Sequence, residues 1–213
     1  MKSPALLLAL LLAGPGFVPA GELTIKAGNA KGGPVQDAVV SLVPLDGAVP
    51  PVAGAAPKVE IAQQGQEYTT FVTVVQAGTR VNFPNHDTVQ HHVYSLSKAK
   101  KFEFPLYNPG SDASIVFDTS GVVALGCNIH DWMLAYLVVV PTPYFSKTDA
   151  TGAARIAAPP GRYRLELWHP RLAAPLEQEV TLGVEPVARD FTLVLKADRR
   201  IRRGAEGKTG IYR

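Results

Sequence analysis

The chain has 213 residues, 46% hydrophobic and 18% charged, with one cysteine, 19 glycines and 18 prolines; this excludes disorder, an intramolecular disulfide and any multi-cysteine zinc cage. The formal charge of +3 is uneven: Lys196 to Arg213 hold seven basic residues against Asp198 and Glu206, whereas Gly21 to Leu195 hold 13 basic and 16 acidic ones. A mildly acidic body without interleaved aromatic and basic residues excludes a nucleic-acid-binding fold.

Residues 1–20 read as a secretory signal peptide: Lys2, the apolar run Ala5 to Ala13, then Gly14, Pro15, Gly16 and a small residue, Ala20, at the cut. Nine apolar residues fall short of the ~20 that span a bilayer. The expected product is exported to the periplasm, with no membrane span in the mature chain. There, a lone accessible thiol is oxidised unless it is buried or bonded to a metal.

After the leader the pattern has period two. Leu23, Ile25 and Ala27 alternate with Glu22, Thr24 and Lys26, and Val35 to Val43 follow a Gly-Gly-Pro turn; both predict strands. Pro44 to Pro57, rich in Pro, Gly and Ala, predicts a linker. A second block from Lys58 predicts strands at Phe71–Val75, Arg80–Phe83, His91–Leu96, Ser114–Phe117, Gly121–Leu125 and Leu134–Val140. Short strands at this spacing make a β-sandwich. A third stretch from about Tyr144 predicts half-buried strands at Arg162–Leu167 and Asp190–Leu195. No segment after the leader has the period of an amphipathic helix, and 196–213 reads as a basic, flexible tail.

The chemistry concentrates around Cys127. Gly126-Cys127-Asn128-Ile129-His130-Asp131-Trp132-Met133 is a Cys-x2-His-x2-Met arrangement between two predicted strands, and Asn85-His86-Asp87-Thr88-Val89-Gln90-His91-His92 lies upstream. A thiolate, two imidazoles and a thioether form the His2Cys set with weak axial Met that holds blue copper, and the thioether favours copper over zinc. One tight loop presents three donors, and the fourth is expected from a facing strand across the sandwich. His91 and His92 compete for that place, because neighbouring strand residues point to opposite faces. A Cys-His nucleophilic dyad is the enzyme alternative, but nothing in the sequence supplies an oxyanion hole. His86 reads as solvated and His169 as a capped strand end. Lys98, Lys100 and Lys101 read as a solvated loop, with a docking patch for an acidic partner as the sharper alternative.

Two resemblances bear on these residues. Gly33-Pro34-Val35-Gln36-Asp37-Ala38-Val39-Val40, with Thr148-Asp149-Ala150-Thr151-Gly152 and Pro159-Pro160-Gly161-Arg162-Tyr163, resembles the two halves of a carboxypeptidase-regulatory-like domain, a small transthyretin-like sandwich. The run from about Lys58 to Val140 resembles the cupredoxins, and its loop spacing is similar to that of the amicyanins. In that family an Asn precedes the ligand His by six residues, as Asn85 precedes His91, so the resemblance implies His91, Cys127, His130 and Met133 as ligands of one type 1 copper. His92 then stands where the family has an Asn that bonds near the cysteine, and its Nδ1 is a substitute donor. Phe83 to Tyr144, with HHVYS, GCNIHDWM and VVVPTPYF, also resembles exported plastocyanin-like proteins labelled methylamine utilisation proteins.

The resemblances imply an all-β chain: a cupredoxin Greek-key sandwich at 58–141 inserted into or flanked by a transthyretin-like sandwich at 21–47 and 143–195. They also imply a periplasmic electron carrier that is not an enzyme and docks redox proteins around Ile129, His130 and Trp132. The alternatives are a copper storage or delivery module, and a carbohydrate- or protein-binding module with a structural copper site.

Overall fold

The structure is a computed structural model that describes residues 20–51, 58–198 and 200. The leader expected at 1–20, except Ala20, and the tail from 201 onward lie outside the described residues, as do 52–57 of the expected linker. The described chain is all-β, as the period-two pattern predicts, with no helix. Its strands are β1 (Gly21–Asn29), β2 (Val39–Pro44), β3 (Val59–Glu60), β4 (Gln63–Gln64), β5 (Glu67–Tyr68), β6 (Val72–Gln76), β7 (Thr79–Asn82), β8 (His91–Ser97) and β9 (Lys100–Tyr107). Then follow β10 (Ser114–Phe117), β11 (Gly121–Gly126), β12 (Leu134–Val140), β13 (Phe145–Lys147), β14 (Ala153–Ala158), β15 (Gly161–Trp168), β16 (Leu176–Leu182) and β17 (Val187–Leu193).

Two cores organise these strands. The sheets β14-β1-β17 and β13-β2-β15-β16 share a core that includes Leu23, Ile25, Leu42, Ile156, Leu165 and Leu167. β1 buries alternate residues, as a strand with one covered face must. The sheets β10-β7-β3 and β6-β12-β11-β8-β9 share a second core around Phe83, Val93, Phe117, Leu125 and Leu137, which also takes in Cys127 and Met133. Phe83 is fully buried, with its ring 5.8–6.4 Å from those of Phe102, Phe104 and Phe117. Phe83→Ala is therefore expected to lower stability by about 3–5 kcal/mol, read as a lower denaturant midpoint with an unchanged slope.

A smaller cluster joins the cores: Val39 with Val72, Val138 and Val140, flanked by Tyr136 and Trp168, whose rings lie 5.6 Å apart. Lys147 adds a polar tie, pairing with Asp37 at 2.7 Å and donating to the Val72 carbonyl at 2.7 Å.

Several boundaries differ from the sequence expectation. The strand expected from Val35 begins only at Val39. Asp37 has a left-handed φ of 66°, and the buried Thr148 hydroxyl donates to the Val35 carbonyl while accepting from the Ala38 amide, so 35–38 is stitched as a turn. Pro44, expected in the linker, closes β2. β9 has no counterpart in the expectation: it is an edge strand broken in pattern by Pro105, where a proline is tolerated because one side needs no ladder bond.

Candidate metal centre

Cys127 directly follows β11 and Met133 directly precedes β12, so the loop carrying three of the candidate donors spans one end of an antiparallel strand pair. The Met133 amide donates to the His130 carbonyl at 3.0 Å and closes that loop as a tight turn. His91 opens β8, which pairs with β11 in the same sheet through Tyr94 and Gly126. This corrects the expectation of a donor from the facing sheet: His91 meets the loop because β8 starts at the sheet end where β11 stops. Gly126 permits the arrangement, since a Cβ there would lie 3.0 Å from the Tyr94 ring.

The structure gathers three of the expected residues. One donor atom each of His91, Cys127 and His130 lies within 4.8 Å of the others. Cys127 Sγ is 3.6 Å from His130 Nδ1 and 4.0 Å from His91 Nδ1. Ligand bonds of about 2.0–2.3 Å in a trigonal or tetrahedral site place donors about 3.3–4.0 Å apart, so both sulfur–nitrogen distances suit a shared metal ion. Met133, 3% exposed, belongs to the same core cluster as Cys127 and offers the thioether. The donor set suits copper: one soft thiolate, two imidazoles and a thioether. His91 is fully buried and Cys127 5% exposed, whereas His130 is half-buried and Ile129 beside it is 48% exposed.

Supporting bonds orient these candidate donors. His91 Nε2 lies 3.0 Å from Asp87 Oδ2. Burial pushes the Asp87 carboxyl up, but the Gln66 amide, the His91 ring and the Thr88 amide outweigh it and hold the group below its ordinary value. An ionised carboxylate only accepts, so His91 Nε2 is the donor in this bond, and Nδ1 is the ring nitrogen that faces Cys127. Trp132 packs against His130 with ring centroids 5.3 Å apart and planes tilted by 51°, and donates from Nε1 to the Gln66 carbonyl at 2.8 Å. Tyr68 donates to the Gly126 carbonyl at 3.0 Å; burial and then the neighbouring Cys127 push its phenol well up, which keeps it a donor. Asn85, fully buried, donates to the Val89 and Tyr107 carbonyls and accepts from the Asp87 amide, fixing the turn that leads into His91.

The other histidines take separate places. His92 turns away from the thiolate: its Nε2 is 2.8 Å from Glu103 Oε1 and its ring centroid 5.5 Å from that of Tyr94. Its Nδ1 is buried without a hydrogen-bond partner among the described residues, so it does not supply the bond near Cys127 for which the sequence made it a substitute. His86 is exposed. His169 is buried and its Nδ1 accepts from the Arg171 amide at 3.1 Å; burial, then Arg171, holds its pKa below the ordinary value. The lysines expected as an alternative docking patch lie at the far end of the β8–β9 hairpin from His91, where Lys100 pairs with Asp118 at 3.0 Å. Asp87, Gln66 and Tyr68 were not singled out from sequence. The four-residue spacing of Asp87 and His91 was the visible signal; the β4–β5 hairpin left none.

No family model and no curated protein matches the chain. Among solved structures, a purple cupredoxin from Nitrosopumilus maritimus is 25% identical, over 39% of this chain and 100% of that one, with a TM-score of 0.36. A reduced copper(I) form of an amicyanin variant is 18% identical over 47% of this chain and 98% of that one, at 0.37. A copper-containing nitrite reductase from Thermus scotoductus SA-01 is 20% identical over 46% of this chain and 25% of that one, at 0.38.

Proposed function

We propose that this chain is a type 1 copper protein that carries single electrons between larger redox proteins, with His91, Cys127, His130 and Met133 as ligands. The observation that carries the reading is the convergence of one cysteine sulfur and two imidazole nitrogens within 4.8 Å, with the buried Met133 in the same core cluster as Cys127. Bound copper supplies a one-electron couple. The chain holds the donors in place through Asp87, Trp132 and Tyr68, so little has to rearrange between oxidation states. In this reading no substrate is turned over.

The half-buried His130 edge is the place for electrons to enter and leave, flanked by Ile129 and Trp132. The exported, periplasmic location rests on the leader sequence; among the described residues no helix is long and apolar enough to cross a membrane. The reading also treats 21–47 and 143–195 as one carboxypeptidase-regulatory-like domain with 58–141 inserted, supported by the shared core of β1 and β2 with β13 to β17.

The test is to load the mature protein with Cu(II), record the visible spectrum and run voltammetry. An intense sulfur-to-copper band with a reversible one-electron wave is expected. A bleached protein that binds Cu(I) and surrenders it to a chelator would replace electron transfer with copper delivery.

The charge around the site makes a second result expected. The segments 61–69, 83–91, 105–113 and 126–134 hold Glu67, Asp87, Asp112 and Asp131 but no Lys or Arg. Lys58, tied to Glu60 at 2.6 Å, also acts on Asp112. Oxidation of the reduced protein by a cationic cobalt(III) phenanthroline complex should slow several-fold as ionic strength rises from about 0.01 M to 0.15 M. Ferricyanide should respond in the opposite sense; equal responses would remove electrostatics from docking.

A further inference from the structure

The β4–β5 hairpin holds no donor of the candidate site, yet it touches the support of each of the three converging ligands. Its turn residues Gly65 and Gln66 both have left-handed φ, 64° and 59°, the two-residue turn that a tight hairpin favours. Such a φ is uncommon for a residue with a side chain. It aims both backbone groups of Gln66 at the site. The Gln66 amide donates to Asp87 Oδ2 at 2.5 Å, the same oxygen that faces His91 Nε2 at 3.0 Å. The Gln66 carbonyl accepts from Trp132, whose ring packs against that of His130. Tyr68 at the end of the hairpin holds the carbonyl of Gly126, the residue before Cys127. Its base is anchored as well: the Gln63 amide donates to the Pro84 carbonyl and the His86 amide to the Gln63 carbonyl.

We propose that the Gln63–Tyr68 hairpin is the positioning element of the metal centre, with the Gln66 backbone amide and carbonyl clamping Asp87 onto His91 and Trp132 onto His130. This rests on the copper reading for its metal readouts, but the clamp itself is a property of the metal-free chain. It makes His91 and His130 energetically dependent on the backbone of one residue, although the first opens β8 and the second lies in the loop between β11 and β12. Their supports should therefore behave as coupled rather than independent sites.

The experiment compares Asp87→Asn, Trp132→Phe, the double variant and Gln66→Gly in the full mature protein. Asp87→Asn and Trp132→Phe are each expected to weaken copper binding about 10- to 100-fold, measured by competition with a Cu(I) chelator. The double variant should lose less than the product of the two. Asp87→Asn should also raise the reduction potential, because a carboxylate on Nε2–H strengthens the imidazole donor to Cu(II); each tenfold preference lost is about 59 mV for one electron. Gln66→Gly keeps both backbone groups and tolerates the φ, so its loss of copper affinity should be smaller than that of Asp87→Asn.

Nitrogen NMR of the metal-free protein gives a readout independent of copper and of variant folding. It should find the His91 proton on Nε2 and slow exchange of the Trp132 indole hydrogen. A His91 proton on Nδ1, losses that simply multiply, or Gln66→Gly as damaging as Asp87→Asn would each overturn the clamp. Absence of copper binding with both NMR signatures intact would instead remove the copper reading and leave the clamp standing.

Discussion

Cys127→Ser is expected to abolish the intense visible absorption of the copper-loaded protein while leaving the metal-free fold in place. The band arises from charge transfer out of a thiolate, and a serine hydroxyl is a harder oxygen donor that stays protonated near neutral pH. The fold should survive because the substitution is nearly isosteric at a site 5% exposed. A hydroxyl left there without a partner costs about 1–3 kcal/mol, and His130 Nδ1, 3.6 Å from the present sulfur, is placed to reduce that. Two measurements are needed: the visible spectrum after Cu(II) loading, and denaturant unfolding of the metal-free protein. An intense band that persists in the serine variant would rule out Cys127 as the source. Loss of the band together with global unfolding would say nothing about ligation, which is why the unfolding curve belongs in the same experiment.

The same residue shows why the sequence was informative here. Period-two alternation marks strands wherever one face is buried and the other wet, so β1, β12 and β15 were legible nearly to their ends. It fails where a strand is only two residues long, as in β3, β4 and β5, because no alternation can be counted. It also fails at the edge, where β9 packs Phe102 and Phe104 inward but carries Pro105 and exposed Leu106. The irregular stretch before β2 was hidden for another reason: its turn is set by Thr148, 110 residues from Ala38.

For the candidate site, sequence spacing named donors from one short loop, because adjacency in a loop guarantees adjacency in space. Spacing does not set the origin of the remaining donor. A β-sandwich offers two routes to the end of a strand, across the core or along the same sheet, and only the pairing of β8 with β11 decides between them. The supporting residues were less visible still. The contribution of Gln66 is made entirely through its backbone amide and carbonyl, and a backbone group has no sequence signature.

The second large effect separates two adjacent histidines. His91→Ala is expected to collapse or strongly distort the copper spectrum, and His92→Ala to leave it close to that of the unchanged protein. Their sequence neighbourhoods are nearly the same, but the strand sends their rings to different surroundings. The His91 ring is fully buried, sits 5.0 Å from that of His130, and has its Nε2 engaged by Asp87, leaving Nδ1 toward the sulfur. The His92 ring is engaged by Glu103, whose side chain is 70% exposed, and by the Tyr94 ring. Removing His91 deletes a donor from a three-donor cluster; removing His92 deletes an imidazole with one buried nitrogen that has no partner among the described residues, which limits even its stability cost. Adding imidazole to His91→Ala gives a sharper readout, because an external ring of the same chemistry can enter the vacated space and restore part of the band. Restoration in His92→Ala instead, or a greater spectral loss there, would move the ligand assignment by one residue and reverse the face of β8 that looks into the site.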